Sequence, residues 1–171
     1  QREERGEIAE FRREAAVFQD AAERLRQPEA LWYAALLRAV DALHSGELKE
    51  AERRSASFFA IGRLVGDANV FHSRMAQRFL IAREQAEWDL LIRIASEAAD
   101  AYPGVVGWRA TKAWALSEAG RLDEARREFM ALASDGFENI PRRMDWSVTM
   151  ALLSEVAVEL GARSEGQALY V

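Results

Sequence analysis

The stretch GELKEAERR, residues 46–54, returns as GRLDEARRE at residues 120–128. Five of the nine aligned positions are identical, namely Gly, Leu, Glu, Ala and Arg in the same order. The two copies begin 74 residues apart, which is about two periods of a helix–turn–helix repeat. The repetition therefore predicts a series of helical hairpins, with one further copy between the two clear ones.

The stretch AEWDLLIRIASEAADAYP, residues 86–103, fills the place of that middle copy. Ala86 stands where the clear copies have Gly46 and Gly120, and Trp88 stands where they have Leu. Glycine at the first position predicts a bend, because it adopts positive φ without steric cost. We therefore interpret the repeated stretch as the bend between two packed helices together with the start of the second helix.

The rest of the chain reads as helices with short connections. Of its 171 residues 50% are apolar and 30% are charged, with 3 Pro and 10 Gly, a composition typical of a folded all-α protein. Apolar periodicity and the positions of Gly and Pro predict helices at about 3–26, 29–44, 47–64, 68–84, 87–101, 105–118, 121–134 and 142–160, with a short one at 164–171. Asp67 is expected to cap the helix that follows it. Because short connections place neighbouring helices antiparallel, we expect a right-handed α-solenoid of stacked antiparallel hairpins.

The predicted array is a single helical repeat domain over residues 1–171. Its units are expected at approximately 3–28, 29–65, 67–103, 105–138 and 141–171, the last being incomplete. A hairpin cannot bury its apolar face alone, so neighbouring hairpins stack and share a core. Pro103 and the pair Ala125 and Phe129 match the terminal Pro and the A-x3-F element of the tetratricopeptide pattern.

Three longer runs carry a resemblance to a known family. They are LWYAALLRAVDALHSGELKEAER (31–53), PGVVGWRATKAWALSEAGRLDEAR (103–126) and DGFENIPRRMDWSVTMALLSEVAVELG (135–161). In order and spacing they resemble the tetratricopeptide-like C-terminal region of large bacterial, especially actinobacterial, signalling regulators. The most distinctive part consists of Pro141, Arg142 and Trp146, followed by Leu153, Glu155 and Val156. In such regulators the region follows a P-loop ATPase module that is linked to a nucleotide-cyclase or helix-turn-helix domain. The resemblance implies a regulatory role and no chemistry for this segment, which we expect to be a fragment of a larger protein.

Candidate chemistry is scarce in this sequence. It has no phosphate-binding loop of the form G-x-x-x-x-G-K-[ST] and no Cys, and its two histidines, His44 and His72, lie on different predicted helices. Acidic pairs one turn apart, such as Glu97 and Asp100, are typical of a solvated helix face. We therefore expect no enzymatic activity, no cofactor and no bound metal.

The charge pattern bears on partners and on location. The net charge is −5, and the arginine pairs lie among Glu and Asp, as in helical ion pairs. We therefore expect no direct binding of nucleic acid. No apolar run reaches the roughly 18 residues that span a bilayer, and the lack of Cys fits a reducing compartment. The expected location is the cytoplasm, without a membrane partner.

A partner-binding surface is predicted on the concave side of the solenoid, where the first helix of each hairpin lies. Helical spacing, counted back from the bends, assigns to this predicted concave face Tyr33, Leu36, Val40, His44, Ala76, Leu80, Arg83, Glu84, Ala110, Trp114, Ser117 and Glu118. It is expected to be an apolar groove with a few polar groups, suited to an extended or helical peptide. The expected partner is a protein or peptide segment, which includes other domains of the same protein.

Three functions are compatible with these features. The first is a non-enzymatic interaction or scaffold module within a transcriptional or signalling regulator. The second is a small-molecule sensor, in which a ligand near Trp114 and Tyr33 gates a linked ATPase. The third is a structural spacer or homo-oligomerisation module.

Overall fold

The computed structural model describes the backbone of residues 2–66, 68–143 and 145–169, and their side chains except those of 2–5 and 68. In these residues the regular structure is helical and no strand occurs, which confirms the all-α prediction. The helices are α1 (Arg2–Leu25), α2 (Pro28–His44), α3 (Leu48–Val65), α4 (Ala68–Glu84), α5 (Trp88–Ala101), α6 (Val106–Glu118), α7 (Leu122–Ala133), α8 (Trp146–Glu159) and α9 (Arg163–Ala168).

The predicted helix boundaries match the observed ones closely for α1 to α7, and α8 is the exception. It begins at Trp146, whereas the sequence predicts a start at residue 142. The Arg143 amide donates to the Pro141 carbonyl at 2.8 Å, and the Trp146 amide donates to the Arg143 carbonyl at 3.0 Å. A turn therefore occupies the predicted first turn of the helix. The predicted cap at Asp67 and the predicted helix end at 170–171 lie outside the described residues.

Four connections between helices share one backbone geometry. Their bend residues are Gly46, Ala86, Gly120 and Gly161, all with a left-handed φ between 54° and 72°. In each, the bend amide donates to the carbonyl three residues earlier, and the next amide donates to the carbonyl four residues before the bend, at 2.9–3.1 Å. This pair of hydrogen bonds is the Schellman motif, which satisfies the last carbonyls of a helix. The three predicted bends are therefore confirmed, and Gly161 adds one that the repeated stretch does not reveal.

The chain divides into two compact units, Gln1–Ile81 and Ala82–Val171. In the first unit α2 packs along α3, and α1 lies against α2. Two clusters of buried side chains form its core, one of Trp32, Ala39, Phe58 and Val70 and the other of Ala42, Ala51 and Ile81. A Cβ added at Gly62 would lie 2.5 Å from Val70 Cγ1, so the glycine allows α3 and α4 to approach closely.

In the second unit α6 is the central helix. It contacts α5, α7 and α8, and α8 also contacts α9. Between Ala110 and Ser117 every residue of α6 except Lys112 is buried. A Cβ added at Gly107 would lie 2.8 Å from the Asp145 carboxylate, so glycine permits close contact between α6 and the start of α8. The surroundings of α6 determine which of its side chains are accessible to a partner.

Candidate partner-binding surface

In the first unit most of the predicted concave face is exposed. Its residues there are the exposed Tyr33, His44, Ala76 and Leu80 and the half-buried Leu36 and Val40. The rings of Tyr33 and His44 make edge contacts with Phe18 and Phe11 of α1, with centroid distances of 5.5 and 5.6 Å. Helix α1 therefore lies against two of the predicted positions, although Tyr33 is still 46% exposed, and Leu80 on α4 is 37% exposed.

In the second unit the structure corrects the predicted concave face at three positions. The exposed predicted residues there are Arg83, Glu84 and Glu118. Ala110, Trp114 and Ser117 are buried, with Trp114 only 5% exposed. The reason is that α6 contacts three helices, α5, α7 and α8. Packing of α8 covers the face of α6 that the sequence predicts to be open. These three side chains belong to the core of the unit.

Trp114 is held by polar and aromatic contacts as well as by burial. Its indole Nε1 donates a hydrogen bond to Glu155 Oε2 of α8 at 2.6 Å. The Trp88 ring meets it edge-on with 6.2 Å between centroids, and the Arg83 guanidinium lies 5.7 Å from its centroid, within cation–π range. A buried indole whose N–H is satisfied is typical of a core, so the accessible surface of this unit lies elsewhere.

A surface cleft of about 500 Å³ lies beside the Ala86 bend. Its walls come from the start of α5 and from the bend before α7, and they are Ala86, Glu87, Trp88, Asp89, Leu90, Arg93, Ala119 and Arg121. Trp88, which replaces the leucine of the clear copies, is half-buried, as is Leu90. The four charged side chains are exposed. The cleft therefore combines a partly accessible aromatic and aliphatic surface with charges of both signs.

The Ala86 bend differs from the others in the side chain four residues after the bend residue. The other three bends have glutamate there, whereas this one has Leu90. At the first bend Glu50 accepts two hydrogen bonds, of 2.8 and 2.6 Å, from Arg53, seven residues after the bend. Arg93 occupies the position of Arg53, but Leu90 has no carboxylate that could accept a hydrogen bond from it. The replacement of glutamate by leucine leaves this arginine without its intrahelical partner.

At two other bends, arginine lowers the pKa of the glutamate that lies four residues after the bend. Hydrogen bonds from Arg53 and Arg54 lower the pKa of Glu50 to about 2. Arg121 donates to both carboxylate oxygens of Glu124 at 2.7 and 2.8 Å and lowers the pKa of that carboxyl group. The prediction of helical ion pairs is confirmed for the arginine pair Arg53 and Arg54, both of which donate to Glu50. The Ala86 bend lacks the glutamate that makes such pairs.

Within the described ranges no group of three or more His, Cys, Asp or Glu side chains is placed to hold a metal ion. None of the helices described above is both long and apolar enough to cross a bilayer.

Comparison with known proteins adds no relative: no protein-family model, no curated protein and no solved structure matches the chain. The function is therefore inferred from the recurring bends and from the cleft beside Ala86.

Proposed function

We propose that this chain is a non-enzymatic helical-repeat module that binds a segment of another protein, as a scaffold within a larger transcriptional or signalling regulator of the bacterial cytoplasm. The observation that carries the proposal is the recurrence of one bend at four places, with the same left-handed residue and the same hydrogen bonds. Arrays of hairpins present extended surfaces for protein partners, since each unit contacts only its neighbours.

Packing within the second unit supports a tetratricopeptide-like arrangement. Helix α6 lies between α5 and α7, and it also contacts α8, the first helix of the next hairpin. Contact between the first helices of successive hairpins is what stacking into a solenoid requires. The right-handed solenoid is therefore part of this proposal.

A peptide-display selection on the whole chain tests the function. We expect enriched peptides to bind the folded chain at micromolar concentration or below, to lose binding when it is unfolded in urea, and to be released unmodified. Mass spectrometry of the recovered peptide checks the last point. A selection without enriched sequences, or peptides that bind the unfolded chain equally well, would contradict the proposal.

The cleft also bears on the alternative of a small-molecule sensor. A volume of about 500 Å³ lies within the range of known ligand sites. Such sites are mostly apolar, however, whereas four of the eight side chains that line this cleft are charged. We therefore favour a peptide. A metabolite library screened by thermal shift separates the two functions, because a compound that raises the melting temperature would favour the sensor.

One face of α8 supports the alternative of homo-oligomerisation. Val148 and Val158 are 63% and 83% exposed, and at about 100° per residue they share one side of the helix with the exposed Ala151. Exposed apolar side chains on one side of a helix are a feature of interaction sites, and here the exposed Glu155 lies among them. Sedimentation over a concentration range tests this role. A dimer that Val148→Asp disrupts would support it, and a monomer at every concentration would contradict it.

A further inference from the structure

We propose that the cleft beside Ala86 binds a peptide segment through one carboxylate and a neighbouring apolar side chain. The carboxylate lies on the Arg93 guanidinium, and the apolar side chain lies on Trp88 and Leu90. This inference rests on the proposed function and adds to it the position of the site and the chemistry of the partner.

The first argument is the state of Arg93. At the equivalent place after the first bend, Arg53 is bound by Glu50 through two hydrogen bonds. At the Ala86 bend Leu90 replaces that glutamate, and Arg93 is exposed. A planar guanidinium is suited to bidentate binding of a carboxylate. The site therefore offers a partner the interaction that the first bend makes within its own helix.

The second argument is the apolar surface next to this guanidinium. Leu90 stands on the first turn of α5, where the other bends have a charged side chain, and it is half-buried in the cleft wall. Trp88 replaces the leucine of the clear copies and is half-buried in the same wall. Tryptophan and arginine are the residue types that contribute most to binding energy at protein interfaces. Both departures from the repeated stretch thus enlarge an apolar surface beside one cation.

The remaining charges of the cleft limit how acidic the partner is. Arg121 is already bound to Glu124, and one of its nitrogens lies 3.8 Å from the Asp89 carboxylate. Glu87 and Asp89 are exposed on the same wall. They repel a run of acidic residues, so the expected segment has a single carboxylate at Arg93 rather than a polyacidic sequence.

The bend residue itself gives the third argument. Ala86 has φ 54°, a left-handed conformation that is unfavourable for a residue with a Cβ atom. Such strain is found at functional sites, and it also occurs here at Arg26 and Phe137, so the comparison with the equivalent bends is what distinguishes Ala86. Among the four bends described, this one alone holds a residue other than glycine, and the cleft lies beside it.

Binding of a display-selected peptide to matched variants tests the site. Arg93→Gln removes the proposed carboxylate partner. Leu90→Glu restores the pattern of the other bends and supplies Arg93 with an intrahelical partner. Arg127→Gln, at the equivalent exposed place after the Gly120 bend, is the control. We expect both cleft variants to weaken binding roughly tenfold or more, and the control to bind like the original chain.

The outcomes separate this inference from the proposed function. If no peptide binds at all, the proposed function itself is wrong. If peptides bind but Arg93→Gln and Leu90→Glu bind them as tightly as the original chain does, the module binds peptides elsewhere and the cleft assignment is wrong. Selected peptides without an acidic residue would also overturn it. Circular dichroism of each variant confirms that any loss of binding occurs in a folded chain.

Discussion

At Gly120 the chain turns from α6 into α7 through a glycine at φ 71°, and at Ala86 it turns from α4 into α5 through an alanine at φ 54°. Both turns make the same two hydrogen bonds. Gly120 is followed after four residues by Glu124, which Arg121 binds, whereas Ala86 is followed at the same distance by Leu90, which has no carboxylate. The comparison shows that the same bend geometry forms with alanine in place of glycine. It also shows that Trp88 and Leu90, which differ from the repeated stretch, line the cleft.

The largest predicted effect concerns the helix against which the Ala86 region packs. Trp114 of α6 contacts Trp88 at the start of α5, and its N–H is bound by Glu155. Trp114→Ala should lower the free energy of unfolding by about 3–5 kcal/mol, as expected for a truncated buried aromatic residue. Urea denaturation measures the loss. Unchanged stability with lost peptide binding would instead return Trp114 to the accessible surface that the sequence predicted.

A valine at each bend residue tests the comparison directly. A Cβ added at Gly120 meets no atom within 4 Å, so the cost of Gly120→Val is conformational, about 2–3 kcal/mol for a β-branched residue at positive φ. Ala86→Val should cost less, because a Cβ atom is already accommodated there. Gly104→Ala, also in open space but without a left-handed φ, is the control and should change stability little. If the two valine variants lower the melting temperature equally, the interpretation of Ala86 as the equivalent of Gly120 is wrong.

The reverse substitution sharpens the comparison with a smaller effect of opposite sign. Ala86→Gly removes the left-handed strain but adds freedom to the unfolded chain. The two terms leave a predicted stabilisation of about 0.5–1 kcal/mol, which the urea midpoint reports. A destabilised variant would mean that the methyl group of Ala86 makes packing contacts that outweigh its strain.

The smallest predicted effect is the pH dependence of the glutamate that the Ala86 bend lacks. Arg53 and Arg54 lower the pKa of Glu50 from 4.5 to about 2. The stabilisation from Glu50 is therefore complete above about pH 4.5 and is lost as the pH falls towards 2. Since the pair is exposed, the effect is small and screened by salt. The difference in urea midpoint between the original chain and Glu50→Gln should shrink from pH 5 to pH 2.5, and a difference that grows would contradict the ion pair.

Sequence reasoning succeeds here wherever a local signal determines the structure. Glycine adopts positive φ without steric cost, so Gly46 and Gly120 predict the bends that their φ values of 72° and 71° confirm. Alignment with these two positions then predicts the bend at Ala86. The bend at Gly161 also had a signal, since Glu165 follows it by four residues just as Glu50 follows Gly46.

The accessible surface is predicted less well, because it depends on contacts between distant parts of the chain. Helical spacing shows which side chains of α6 share a face, but the burial of Trp114 depends on α8, which is separated from α7 by an irregular connection. The cleft was missed for a related reason: Leu90 and Arg93 are informative only when compared with Glu50 and Arg53 in the folded bend.

The central claim is that the Ala86 bend departs from the repeat in order to bind a partner. The most direct test is the affinity of a display-selected peptide, followed by fluorescence anisotropy, for the double variant Ala86→Gly/Leu90→Glu, which restores the pattern of the other bends. We predict a variant that is folded and at least as stable as the original chain but binds the peptide roughly tenfold more weakly or worse. Unchanged affinity in the folded double variant would contradict the claim.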